Sequence, residues 1–104
     1  MIGVLKQCRR EIEELPLNVR EELADALARV EEGHVLSMPL SRPMRSIGKS
    51  VHELRFRDRS GIYRVIYVFA KQGIIHLLHA FKKKNAQTPQ RNIEISKKRL
   101  KEII

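Results

Sequence analysis

One cysteine, Cys8, occurs among the 104 residues, so no disulfide can staple the fold from within. The same count excludes zinc ribbons, haem-attachment motifs and disulfide scaffolds, and it leans toward a reducing cytoplasm. No stretch approaches the roughly 18 consecutive apolar residues of a membrane span. The N-terminal MIGVLKQCRREIEEL reaches charged residues too early for a secretory signal, so a cytoplasmic protein without membrane partners is expected. A GxxxxGK loop, a nucleophile elbow and a carboxylate pair on a basic face are all missing. The ATPase, hydrolase-triad and two-metal nuclease readings therefore lack their parts. His34, His52, His76 and His79 show no zinc-ligand spacing, and no metal or other cofactor is expected. Internal repeats and low-complexity segments are absent, and a chain this short supports one domain, 1–104.

Acidic residues become scarce after residue 34. The whole chain carries 21 Lys+Arg against 12 Asp+Glu, a formal net charge of +9. Residues 1–34 hold five basic and eight acidic side chains, whereas residues 35–104 hold sixteen and four. Basicity spread evenly would mean a solvated exterior. Segregated basicity favours a surface that binds a polyanion.

The hydrophobic pattern predicts an α+β fold. Val4/Leu5, Cys8, Ile12 and Leu15 recur at helical spacing up to Pro16. A second helix is predicted from Asn18, with Asn18 and Glu21 spaced as a capping box and Gly33 as a C-terminal cap. The acids lie mostly off the apolar stripe, so the pair reads as an acidic helical hairpin with one apolar side. Residues 34–50 contain Pro39, Pro43 and Gly48, and predict a surface connection with room for a short strand. VHELRFRD then alternates with period two, and DRSG, IYRVIYVFA, KQG and IIHLLHAF complete a three-stranded antiparallel meander. Thr88 and Pro89 read as the cap and first residue of a short basic C-terminal helix. The expected architecture is a helical hairpin packed on a three- to four-stranded antiparallel sheet with a short C-terminal helix, all helices on one face.

Strand register concentrates the charge. If the hairpin loop spans Asp58 to Gly61, Arg57 pairs with Ile62 and Arg55 faces Arg64. Leu54, Phe56 and His52 then meet Val65, Tyr63 and Tyr67 on a credible core face. Two arginines opposed on one sheet face repel unless an anion bridges them. Arg57 extends that face, and Lys82, Lys83 and Lys84 emerge at the end of the last strand. Guanidinium forks and lysine point charges together suit a phosphodiester. The plainer reading makes Arg55 and Arg57 solvated and the lysines guards of a sheet edge. Tyr63 and Tyr67 share a strand face and are most simply core residues, with nucleobase stacking as the functional alternative. His76 and His79 have opposite parity, so only one of them can join the arginine face, and the length of the KQG turn decides which.

The succession VHELRFRDRSGIYRVIYVF, IIHLLHAFKKKNAQTP and RNIEISKKR resembles the phage-derived, HigB-like branch of the RelE/ParE toxin superfamily, over roughly residues 10–104. The resemblance implies a compact α+β toxin of a type II toxin–antitoxin system and ribosome-dependent mRNA cleavage without a cofactor. Neutralisation by a helix-turn-helix antitoxin, through which alone operator DNA is bound, is implied as well. Arg55 matches the arginine of ELR and Arg64 that of the YR strand, which in RelE-like toxins contacts the scissile phosphate. Lys83 and Lys84 match the basic pair after the last strand, with Lys82 at a more variable position, and Tyr67 closes the YR-V-x-Y pattern. Arg55, Arg64, Lys83 and Lys84 are thus the catalytic candidates, and Arg57, Lys82, Tyr67 and His79 the RNA-binding ones. Two departures from the family pattern are expected: a sheet lacking the first strand usual before the helices, and no tyrosine near the C-terminus. A non-catalytic nucleic-acid-binding relative and a ParE-like, gyrase-directed toxin are the rival readings.

Overall fold

The computed structural model describes residues 1–83 and 88–103. Its central hairpin follows from the turn chemistry. Asp58 Oδ1 accepts hydrogen bonds from Ser60 N and Ser60 Oγ, each at 2.7 Å, and from Gly61 N at 3.2 Å. Aspartate at the head of a tight turn folds back on its own backbone in this way. With the turn pinned, β3 (Val51–Asp58) and β4 (Gly61–Phe69) pair in the expected register, Arg55 against Arg64 and Phe56 against Tyr63. After a 3-10 turn at Lys71–Gly73, β5 (Ile75–Lys83) returns antiparallel to β4.

The sheet has five strands, not three or four, and it is mixed. β1 (Ile2–Val4) lies parallel to β5, and β2 (Ser41–Pro43) lies antiparallel to β3, giving the order β1-β5-β4-β3-β2. Each added strand is three residues long, too short for an alternation to register in sequence. The first helix accordingly starts after Val4 and Leu5, as α1 (Lys6–Glu13). β1 sits close to its neighbour because Gly3 has no side chain: a Cβ there would lie 2.6 Å from His76 Nδ1.

The helical hairpin, α1 with α2 (Leu17–Glu31), covers one face. Its Cys8, Val19, Leu23 and Leu27 pack on Leu54, Phe56, Val65 and Tyr67. Pro16, not Asn18, occupies the position before α2, and no side chain caps the helix, so the capping box does not form. Gly33, at φ +93°, ends it in the left-handed conformation that favours glycine.

The helices do not all share a face. α3 (Gln90–Leu100) lies on the opposite side, where Leu100 and Ile93 join Met44, Ile47, Val51, Ile66, Val68 and Leu78 in a second core. The reason is in β4, where Tyr63 through Val68 are all buried. A strand apolar on both faces needs cover on both. Among the described residues no helix is long and apolar enough to cross a membrane.

β1 reaches only to Leu77, and the sheet edge beyond it is closed by a carboxylate. Glu11 Oε1 accepts from Ala80 N at 3.1 Å and from Arg99 Nη1 at 2.7 Å, and lies 2.9 Å from His79 Nδ1. Arg99 Nη2 donates to Oε2 at 3.0 Å, and Arg99 Nη1 also reaches the Leu78 carbonyl at 3.0 Å. One side chain thus ties α1, β5 and α3 together. Burial alone would raise the Glu11 pKa, but hydrogen bonds from His79, Arg99 and Ala80 outweigh it and hold the value at about 2, against an ordinary 4.5. A folded value below the unfolded one means the clamp contributes fully above pH 4.5 and loses its contribution as pH falls toward 2. Thermal melts are expected to show Tm declining across that window. Glu11→Gln should flatten the decline, and an unchanged pH profile in that variant would remove Glu11 from the acid response.

Candidate anion-binding site

Period-two alternation sends Glu53, Arg55 and Arg57 to one face of β3, and pairing brings Arg64 up beside them. Arg64 is 4% exposed and Glu53 is fully buried. The Arg64 Nε lies 3.3 Å from Glu53 Oε1, a charge contact outside hydrogen-bonding geometry, and its Nη1 donates to the Tyr63 carbonyl at 3.3 Å. Two further groups converge on the same carboxylate. Arg42 Nε donates to Oε1 at 3.1 Å, and the Thr88 hydroxyl donates to Oε2 at 2.6 Å while accepting from Arg42 Nη2 at 3.1 Å. Glu53 is therefore a hub that fixes β2, β4 and the approach to α3 against β3.

In front of this hub is a cleft of about 330 Å³, lined by Arg55, Arg57 and Arg64 together with Pro39, Leu40 and Ile62. Arg55 donates to Met38 Sδ at 3.4 Å, a weak acceptor, and its buried Nε has no partner. Burial lowers the Arg64 pKa below arginine's usual value; Glu53 opposes this, while Arg55, Arg42 and Arg57 reinforce it. Lys83, opposite Ile62 and 3% exposed, is shifted the same way, by burial first and then by the Arg64 charge. Among the described residues, Arg42 and Arg64 meet this one buried carboxylate, while Arg55 and Arg57 line the cleft with no acidic partner of their own. An excess of desolvated positive charge is costly unless an anion completes the site. Guanidinium groups aimed from two strands suit an oxyanion with several oxygens, such as a phosphate.

Of the expected site residues, Arg55, Arg57, Arg64 and Lys83 come together. Lys84 lies outside the described residues. Lys82 points to the other face, its Nζ 6.0 Å from the Tyr63 ring centroid. Tyr67 is 1% exposed in the helix-covered core, its hydroxyl 2.9 Å from Ser41 Oγ, which leaves no ring face for a nucleobase. His79 is held by Glu11 and by Asn92, whose Oδ1 is 2.7 Å from its Nε2. The parity rule for the two histidines also fails. A register shift between Ile66 and Tyr67 sets His79 opposite Ile66 and His76 opposite Val68, so both stand on the Arg64 face.

Sequence reasoning missed Glu53, Arg42 and Thr88. Glu53 had a signal, as the lone acid sharing parity with Arg55 and Arg57. Arg42 sits in a stretch without a period. Thr88 read as a helix cap, whereas Pro89 takes the position before α3 and the threonine hydroxyl is spent on Glu53.

A crystal structure of the isolated Escherichia coli RelE toxin superposes over 100% of this chain and 98% of its own, with a TM-score of 0.59 and 19% identity. A double arginine-to-alanine mutant of that toxin in the free state gives a TM-score of 0.65 at 18% identity, over 100% and 97%. A chain of the intact E. coli RelBE toxin–antitoxin complex gives 0.52 at 18%, over 82% and 98%. No curated protein matches the sequence. The family model of phage-derived Gp49-like proteins (DUF891) matches residues 10–101. With nearly its whole length under that model, and an arginine-lined sheet on the fold of RelE, the chain belongs to the phage-derived Gp49-like family.

Proposed function

We propose that this protein is the toxin of a type II toxin–antitoxin system and that it cleaves mRNA on the ribosome without a metal. The opposed Arg55/Arg64 pair at the cleft carries the reading, because it places fixed positive charge where a phosphodiester gains negative charge in its transition state. The likeness to RelE, which extends over the whole chain, supports it over a gyrase-directed or non-catalytic alternative.

In the proposed reaction the 2′-hydroxyl attacks the adjacent phosphorus and the bond to the 5′-oxygen breaks. A 2′,3′-cyclic phosphate and a 5′-hydroxyl remain. Arg55 and Arg64 stabilise the phosphorane oxygens. Lys83, its pKa lowered by burial and by Arg64, is suited to take the 2′-hydroxyl proton; Lys84 is the other candidate for proton transfer. Neutralisation falls to a helix-turn-helix antitoxin encoded alongside, and the toxin works in the cytoplasm.

Mapping mRNA 5′ ends after induction tests this. Codon-phased cuts are expected from the wild type and about 100-fold fewer from Lys83→Met, in line with loss of a general base. In vitro, the wild-type rate should rise with pH until Lys83 is neutral, since the base works only when deprotonated. A DNA-damage response without cuts would overturn the ribonuclease reading.

A further inference from the structure

β2 separates the arginine cleft from a second one. Pro39 and Leu40, just before this strand, line the first. Pro43 and Arg45, at its end and just beyond, line the second with Lys49, Ser50 and His52, around about 520 Å³ of open space. Its lining includes no carboxylate, and neither Arg45 nor Lys49 has an ion-pair partner among the described residues. His52 supplies a second, independent signal: its Nδ1 is buried and without a hydrogen-bond partner. A buried polar atom left unsatisfied calls for a group to satisfy it. The His52 ring stacks on Tyr67 at 5.5 Å and meets Phe69 edge-on at 5.4 Å, and Phe69 is 44% exposed. Unpaired cations beside an exposed aromatic ring are the combination that holds a single-stranded nucleic acid, backbone on the charges and base on the ring.

We propose that the Arg45/Lys49/His52 cleft, with Phe69 against His52, is a second subsite for single-stranded RNA. It takes a phosphate of the same strand whose scissile phosphate lies between Arg55 and Arg64. His52 and Arg55 are three residues apart along β3, about 10 Å at roughly 3.3 Å per residue, and face opposite sides of the sheet, so a short run of nucleotides passing around the β2 edge bridges the two clefts. The proposal rests on the reading of the chain as an RNA-directed toxin and adds the path of the strand along the β2 edge.

The test is equilibrium binding of a 2′-O-methyl oligoribonucleotide, which lacks the attacking hydroxyl, over a range of salt. Each phosphate contact on a single strand contributes about 0.7 to the slope of log K against log salt, so R45Q/K49Q should flatten it by about 1.4. Phe69→Ala should weaken binding about tenfold, as loss of one stacked base does. All three residues are solvent-facing, and unchanged thermal melts would confirm that these variants fold. Unchanged affinity and slope in R45Q/K49Q would overturn the second subsite. So would an equal flattening in K97Q/K98Q, exposed lysines of α3, because the effect would then be the general field. Oligonucleotide binding that responds as expected in a protein making no cuts in cells would keep the subsite and remove the ribonuclease. Codon-phased cuts with an unresponsive R45Q/K49Q would do the reverse.

Discussion

Arg64→Ala is expected to slow mRNA cleavage by about 100–1,000-fold, or about 2.7–4 kcal/mol of transition-state stabilisation, the usual loss when one preorganised oxyanion partner is removed. The effect should fall on the rate of the chemical step, read as single-turnover cleavage on programmed ribosomes, more than on binding. Arg64 also neutralises Glu53, so its removal disturbs the fold as well as the site. Two companions separate these causes. The Arg55 side chain bonds Met38 and lines the cleft, so Arg55→Ala should lose a comparable factor in rate with a Tm close to wild type. Arg64→Lys keeps a charge but not the planar fork, and should fall between wild type and Arg64→Ala. A wild-type rate in Arg55→Ala and Arg64→Lys alike would place the chemistry elsewhere.

Glu53→Ala is expected to be the most destabilising single substitution near the cleft. It leaves Arg42 and Arg64 facing each other with no anion between them, and it strips Thr88 of its acceptor. Breaking a buried charge pair from one side costs about 3–5 kcal/mol. For a domain of this size that lowers Tm by about 15 °C or more. Glu53→Gln keeps the shape and one acceptor oxygen, and should cost less than half as much. Added phosphate or an oligonucleotide should recover part of the loss in both variants, since an anion in the cleft relieves the same repulsion. A Glu53→Ala melt within about 2 °C of wild type would show that the hub carries no net stability.

The hairpin that makes the site could be read from sequence because both of its determinants are local. Asp58 to Gly61 fixes the turn, and the alternation of Leu54 and Phe56 with Arg55 and Arg57 fixes the face; together they place Arg55 against Arg64. What could not be read depends on distant partners. Glu53 was on the right face by parity, but its role needs Arg42 and Thr88, 11 and 35 residues away. The apolar stripe of α3 was visible, yet nothing in α3 says which side of the sheet it covers; that information is in the unbroken burial of β4 from Tyr63 to Val68. His76 joins His79 on the Arg64 face through a single extra residue in β5, which resets the parity on which such assignments rest.

The same long-range closures order events in time. β1 is held against β5, and Glu11 finds its partners at His79, Ala80 and Arg99. Glu53 acquires Thr88 only from the segment that follows β5. During synthesis, at about 5–20 residues per second, the hairpin bearing Arg55 and Arg64 emerges before any of these partners. Until they arrive, the second core lacks its α3 cover and the hub lacks one of its three ligands. Assembly of the cleft thus lags synthesis of the hairpin that bears its arginines, because Thr88 and α3 must clear the ribosome before a finished cleft exists beside it.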